Sequence, residues 1–442
     1  MKTVGGGLIG STHLIGRASW TLADQCVVSG GNFLLMVLLA RGLSEEEYGE
    51  FALFLGAIFF LRTVDYSFIS YPLSVRLCVA NEGEQARLLG GTAVLAMALS
   101  FVLLVVMAIG TELAQADSIL VPVCLCYLCW QAQETLRRFL LAGFRYSEAV
   151  MGDGVAYVGQ SLVVAMTLGA DSIAVSSAMY AMSATFALGA LVHVLKLRLA
   201  WPDITELRGL VLDYISIGKW SVFNYQLVLV RAQLFPWLLA AMAGTAATAS
   251  LQAGLNIANM MNPILFGIGN AVPQVAAHAH RSGDVLGASR AACGYVLVGL
   301  GPILLICAAG VLMPDLLLRW IYGPSSPYLA VAVGVQLLAV AGVLDYIAEM
   351  ISKTLLGVQS GRLAFGVNVV AAIAALVLAL ALVPPLGVLG ACLALLIANL
   401  LRAIGAVIVI AWLIADARSR ARFAAVRNVT STSPVTDAPA GQ

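Results

Sequence analysis

Eight charged side chains in this 442-residue chain are candidates for the depth of long apolar stretches: Asp24, Arg62, Asp65, Glu134, Arg231, Asp345, Glu349 and Arg402. Three kinds of chemistry suit such residues. They can pair with one another, the arginines can hold an anion, and the carboxylates can take up a proton or a small cation. A charge at the centre of a bilayer costs at least about 2.5 kcal/mol on insertion scales, so each must face a partner or a wet cavity. The sequence has no phosphate-binding loop, metal-protease pair or nucleophilic triad, which argues against ATP hydrolysis and against an enzyme in general. No cofactor is expected.

Spacing assigns some of these charges. Arg62 and Asp65 are three residues apart on one helical face and can pair. Glu349 and Lys353, four apart, read as a surface pair. Arg137 and Arg138 close an apolar stretch and can anchor to anionic lipid. Arg402 is expected either to pair within the second half of the chain or to reach toward the interface. Arg231 is the most informative, because Gln226–Gln233 around it holds no acidic residue within a turn or two. It needs a carboxylate from another helix or an anionic ligand. Asp24, at comparable depth, is its expected partner. Asp24, Asp65, Glu134 and Asp345 are therefore the candidates for charge pairing or for coupling to an ion gradient.

The elements that must position these residues are apolar stretches near 18–40, 50–74, 90–110, 118–140, 150–170, 173–195, 213–240, 246–272, 289–312, 328–352, 364–382 and 387–413. Each approaches the roughly 20 residues a helix needs to cross about 30 Å of hydrocarbon. Of 24 Lys and Arg, 19 fall on one side of this layout and two, Arg41 and Arg319, on the other. The positive-inside rule then places both termini in the cytoplasm. With 61% hydrophobic and 11% charged residues, against about 25% charged in ordinary domains, the chain reads as an all-α polytopic membrane protein, and nothing points to nucleic acid. The first stretch, with Asp24 and Gln25, reads as a retained helix rather than a cleaved signal. Cys124 and Cys126 sit about 200° apart on a helix and cannot share a ligand sphere, so the Cys124/Cys126/Cys129 group reads as packing.

The halves resemble each other. At an offset of 214, Leu141–Arg145 falls on Leu355–Gln359 and Gln131 on Asp345; a weaker match near 201 places the first stretch on the seventh. Six helices return the chain to its starting side, so the repeats are parallel, as in several transporter folds. The expected organisation is a six-helix bundle over 1–200, a second over 201–415, and a disordered cytoplasmic tail over 416–442. A short interfacial helix is expected between Lys196 and Lys219. Pro236 and Asn262-Pro263 are expected to break their helices and free backbone carbonyls.

Two short segments carry a family resemblance. Leu39–Phe51 (Leu-Ala-Arg-Gly-Leu-Ser-Glu-Glu-Glu-Tyr-Gly-Glu-Phe) resembles the junction of the first two helices in the Wzx-like polysaccharide flippases of the multidrug/oligosaccharidyl-lipid/polysaccharide exporter superfamily, departing at Gly42 and Ser44. Leu317–Gly323 is similar to their Leu-Leu-x-x-x-Tyr-Gly segment before the tenth helix. The resemblance implies twelve transmembrane helices in two six-helix bundles around a central cavity. It also implies a polyprenyl-diphosphate-linked oligosaccharide as cargo, flipped across the bacterial inner membrane for polysaccharide biosynthesis. Glycosyltransferases and a polysaccharide polymerase would be partners, with membrane lipids around the chain. Arg62, Arg231 and Arg402, the deep cations, would then meet the diphosphate. The alternative is a cation-coupled multidrug or small-molecule antiporter of the same superfamily, with a carboxylate such as Asp24 or Asp345 as the titrating group.

Overall fold

A computed structural model describes residues 9–77, 80–168, 173–280 and 285–431. All its regular structure there is helical: α1 (Ile9–Gly42), α2 (Glu45–Asp65), α3 (Tyr71–Leu77), α4 (Glu82–Leu113), α5 (Asp117–Ala142), α6 (Tyr146–Asp153), α7 (Gly159–Leu168), α8 (Val175–Val194), α9 (Ile204–Ala243), α10 (Thr245–Ala258), α11 (Asn262–His280), α12 (Val285–Leu312), α13 (Pro314–Tyr322), α14 (Ala332–Gly357) and α15 (Gly361–Ser431). Single π-helical turns, Tyr66–Ser70 and Gly154–Val158, join α2 to α3 and α6 to α7. Each follows a buried carboxylate, Asp65 or Asp153. Such bulges recur where a helix must re-aim its side chains.

Among the described residues, ten continuous helical segments are long and apolar enough to cross a membrane. The longest covers two of the twelve passes, because Gly387 in α15 takes φ 54°, ψ −127° and breaks the helix there. The twelfth is the pair α10 and α11, separated by the 3₁₀ turn Asn259–Met261 just before Asn262-Pro263. The chain is thus a multi-pass all-α membrane protein with twelve passes in two parallel repeats. Local signals set several starts. Ser44–Glu47, Asn81–Glu84 and Asp203–Glu206 each form a reciprocal capping box, satisfying two otherwise orphaned backbone donors per helix.

Two expectations change. The Lys196–Lys219 segment does not form a separate interfacial helix; α9 starts at Ile204 and runs unbroken through Pro236 to Ala243. The chain past Asp416 continues as helix to Ser431 rather than becoming disordered there, because it carries no Gly or Pro stop and its Ala- and Arg-rich run favours helix. Residues 432–442 lie outside the described set.

The repeat is visible in the turns. Gly143, Phe144 and Arg145 donate to the carbonyls of Phe139, Leu141 and Leu140; Val358, Gln359 and Ser360 donate to those of Thr354, Leu356 and Leu355. Phe144 and Gln359 occupy the same left-handed position, with φ of 57° and 59°. The structural register is therefore 215, one more than glycine matching gives. It places Glu134 on Glu349, Arg138 on Lys353 and Asp153 on Asn368, and it replaces the pairing of Gln131 with Asp345.

Within the first half α5 packs on α8 and α1 on α6 and α7; within the second, α14 packs on α15 and α12 on α11. Lipid removes the hydrophobic drive between helices, so close packing carries their association. The halves meet along α2 against α10. A Cβ at Gly49 would lie 2.0 Å from the Thr245 carbonyl oxygen, so only glycine permits this approach. The two segments that carry the family resemblance meet at the same end. The Arg41 Nε and Nη2 atoms donate to the carbonyls of Ile321 (2.6 Å) and Trp320 (2.9 Å), capping α13. Tyr48 and Tyr322 both set their rings edge-on to Tyr328.

Candidate functional site

Two buried ionic clusters hold every deep charge singled out from the sequence except Asp65, which lies beside the first. In the first half, Arg137 bridges Asp24 (2.5 Å) and Asp153 (2.6 Å). Its other terminal nitrogen reaches Glu134 at 3.3 Å. Glu134 also takes Arg138 at 2.7 Å and Arg62 at 3.2 Å. Arg62 lies over the Trp130 ring, 4.1 Å from its centroid, a favourable cation–π placement. Gln133 donates to Asp153 at 2.7 Å, and His193 makes a 3.0 Å bond to the Ala149 carbonyl. Asp24, Arg137, Asp153 and His193 are essentially inaccessible, and none of them lines either of the two cavities described below.

The second cluster uses α9, α14 and α15. Arg402 donates to Asp345 (2.8 Å), Glu349 (2.6 Å) and the Asn368 side-chain oxygen (2.8 Å). Arg231 donates to Asp345 at 3.2 Å and to the Asn399 side-chain oxygen at 3.0 Å. Lys353 reaches Glu349 at 3.5 Å. Three cations thus face two carboxylates. Unlike the first cluster, this one opens on a cavity of about 270 Å³ between the halves. Arg231, Asp345, Asn399, Gln233 and Gln252 supply its polar wall, and Ala52, Leu55, Gly56 and Phe59 of α2 its opposite side.

Several sequence expectations are corrected by this geometry. Asp24 does not pair with Arg231; each is satisfied inside its own half, by Arg137 and by Asp345. Arg62 pairs with Glu134 instead of Asp65, because α5 presents a carboxylate to it beside the Trp130 face. Asp65 is buried without an ion pair among the described residues, and its Oδ1 has no hydrogen-bond partner. Arg137 is no lipid anchor: it sits a turn and a half before the end of α5, on the face turned to α1 and α6. Arg402 pairs within the second half, one of its two expected placements. Cys126 is fully buried in the main apolar core with Cys124 and Cys129 packed against it, as the packing reading holds. Among the described residues no group of His, Cys, Asp and Glu has metal-site geometry.

Sequence reasoning missed Asp153, His193, Asn368 and Asn399. Asp153 sits between Gly152 and Gly154 near the start of an apolar stretch, and Asn368 and Asn399 are lone amides in apolar helices. A search for every polar residue more than a turn inside a span, amides included, would have found them.

No family model matches the chain, and no curated protein matches it either. Solved structures do. An inward-facing multidrug resistance MATE family transporter of the MOP superfamily superposes with a TM-score of 0.69 at 16% identity, over 91% of this chain and 96% of that one. A MOP superfamily transporter from Pyrococcus furiosus, described as having a binding pocket of reverse polarity, gives 0.67 at 14% identity over 91% and 96%. A eukaryotic MATE transporter gives 0.67 at 14% identity over 92% and 99%. The chain has the MATE fold. At these identities the likeness is one of architecture, and it does not reach the Wzx-like flippases in particular.

Proposed function

We propose that the chain is an alternating-access transporter whose cargo is an amphiphile with an anionic head, of the polyprenyl-diphosphate-linked oligosaccharide class. The observation that carries the reading is a guanidinium at the cavity wall, Arg231, in a cluster where three cations meet two carboxylates among the described residues. Of these charges Arg231 and Asp345 line the cavity, and Asp345 is shared with the buried Arg402. A guanidinium offers a forked, permanently charged donor suited to phosphate. On this reading Arg231 binds the diphosphate and Arg402 holds Asp345 in place behind it. Arg62, closed off by Glu134 and Trp130, acts as structure. The protein binds and moves cargo without making or breaking bonds. It works in a bacterial inner membrane with both termini cytoplasmic, between glycosyltransferases that supply the cargo and a polymerase that consumes it.

A second reading is cation-coupled efflux of drugs or other small molecules, favoured by the structural neighbours, which include multidrug resistance transporters. It requires a carboxylate free to bind a cation. Asp24, Glu134, Asp153, Asp345 and Glu349 already hold arginines, which leaves Asp65 as the coupling group among the deep carboxylates. The two readings separate in cells that lack this protein. The flippase reading expects lipid-linked saccharide to accumulate at the cytoplasmic leaflet and drug sensitivity to stay unchanged. Heightened drug sensitivity with normal lipid-linked saccharide would replace it with the antiporter.

A further inference from the structure

Beside the cavity lies a second, larger space, a groove of about 970 Å³ between α2, α4, the start of α5 and α9. Its walls are apolar, with Phe54, Phe60, Val106, Gly110, Leu234 and Trp237 among them. Its polar lining residues are Glu50, Thr111, Gln115, Ser118 and Thr245 toward one end and Gln233 beside the cavity. Phe60, Val106 and Trp237 are well exposed on its open side, which in a bilayer is the lipid side. Along α2 the groove runs from Glu50 to Leu61, about 16 Å at 1.5 Å per residue. That is the depth of one leaflet of a core about 30 Å thick.

The groove and the cationic cavity share two lining residues, Gly56 and Gln233. Gly56 has no side chain, and a Cβ placed there would lie 2.6 Å from Gln233 Oε1 and 3.3 Å from Trp237 Nε1. The Gln233 amide and the Trp237 indole both lie against this glycine where the two spaces meet. On α9 the faces are adjacent. Val230, Gln233, Leu234, Trp237, Leu238 and Ala241, at helical spacing, face the groove, while Arg231, Ala232, Phe235 and Pro236 face the cavity. A chamber walled by Arg231 and an apolar groove of one-leaflet depth, meeting at Gly56 and Gln233, match the two parts of an anionic lipid.

We propose that this groove holds the hydrocarbon chain of the cargo, which passes the Gly56–Gln233 opening while the phosphate head meets Arg231. The inference rests on the anionic, lipid-linked reading of the cargo given above. It adds the tail site and makes Gln233 the side chain that swings aside to admit the tail. The groove's apolar walls give a long prenyl chain more contact than a short one, so chain length sets affinity.

Gly110 supplies the test. Gly110 lines the groove, and a Cβ there meets no atom within 4 Å, so a side chain can be added at that position. Binding of a long-chain polyprenyl diphosphate and of dimethylallyl diphosphate, a head with almost no tail, would be measured on the full chain in nanodiscs. Gly110→Trp should weaken the long-chain ligand by roughly tenfold or more and leave the short one unchanged. Arg231→Gln should weaken both. Phe101→Trp, on the lipid-facing part of α4 outside the groove, should change neither. Equal long-chain binding by wild type and Gly110→Trp would overturn the tail site while leaving the head site standing. Failure of wild type to bind either ligand would overturn the cargo reading, and the tail site with it. A photoreactive residue replacing Phe60 should label the polyprenyl chain in competition with bulk phospholipid. Labelling of phospholipid alone, undisplaced by polyprenyl diphosphate, would make the groove ordinary annular lipid space and overturn the proposal.

Discussion

The two ionic clusters occupy corresponding places in the two repeats, and they differ in how their charges are balanced and in whether a cavity reaches them. In the 215-residue register Glu134 and Glu349 are equivalent, and each is paired four residues on with a cation, Arg138 or Lys353. Asp153 and Asn368 are also equivalent, and each accepts a bond from a buried guanidinium. The halves part over where the central cation comes from. In the first, Arg137 rises from the same helix as Glu134 and seals Asp24 and Asp153 in a site without solvent. In the second, Arg402 comes from α15, a neutral amide stands at the matching position, and Arg231 shares Asp345 with Arg402 at the cavity wall. The first cluster sets three cations against three carboxylates, and the second, with an amide at the position of Asp153, sets three against two.

The largest expected effect tests the closed cluster. Arg137→Leu leaves Asp24 and Asp153 buried without a counter-charge, and breaking such a pair costs about 3–5 kcal/mol. Folded protein in the membrane and the unfolding temperature in detergent should both fall steeply. Arg231→Gln, at a partly open site, should leave both nearly unchanged. If Arg137→Leu is as stable as wild type, the clusters do not differ in the way described.

A middle-sized effect concerns coupling. Asp24 and Arg231 belong to separate clusters, so the stability changes of Asp24→Asn and Arg231→Gln should add within about 0.5 kcal/mol. Arg231 and Asp345, in contact, should show a coupling of about 0.5–3 kcal/mol in the corresponding double-mutant cycle. Mutual rescue between Asp24→Asn and Arg231→Gln would join the two clusters and erase the comparison.

The architecture was legible because it depends on local, one-dimensional signals. Apolar runs of membrane length and a one-sided distribution of Lys and Arg fix the passes without knowledge of any contact. The α10–α11 pass was legible too, through Asn262-Pro263. The clusters were not, because their bonds join residues far apart in sequence: Asp24 and Arg137 are 113 positions apart, Arg231 and Asp345 114. Spacing rules see only neighbours, so they offered Arg62 to Asp65 and overlooked Glu134, which lies on another helix. They also read Arg137 with its neighbour Arg138 as surface charge, though the two side chains leave the helix about 100° apart and only Arg137 is fully buried. The repeat register slipped by one because matching glycines aligned better than the left-handed positions, which here hold Phe144 and Gln359.

The smallest effect tests the outer edge of the second cluster. Lys353 is partly exposed and lies 3.5 Å from Glu349, an i,i+4 pair worth a few tenths of a kcal/mol. Lys353→Met should change the unfolding temperature and transport barely at all, since Arg402 already satisfies Glu349. A large loss of transport in this variant would move the working cation from Arg231 to Lys353.

The central claim, that Arg231 is the cation which meets the cargo, is tested most directly by flipping in proteoliposomes. The rate at which a fluorescent polyprenyl-diphosphate-linked sugar crosses the bilayer would be compared for wild type, Arg231→Lys and Arg231→Gln at equal amounts of folded protein. The account predicts fast flipping by wild type, partial activity with lysine, which keeps the charge but loses the fork, and loss of flipping with glutamine. Wild-type rates from Arg231→Gln would contradict it.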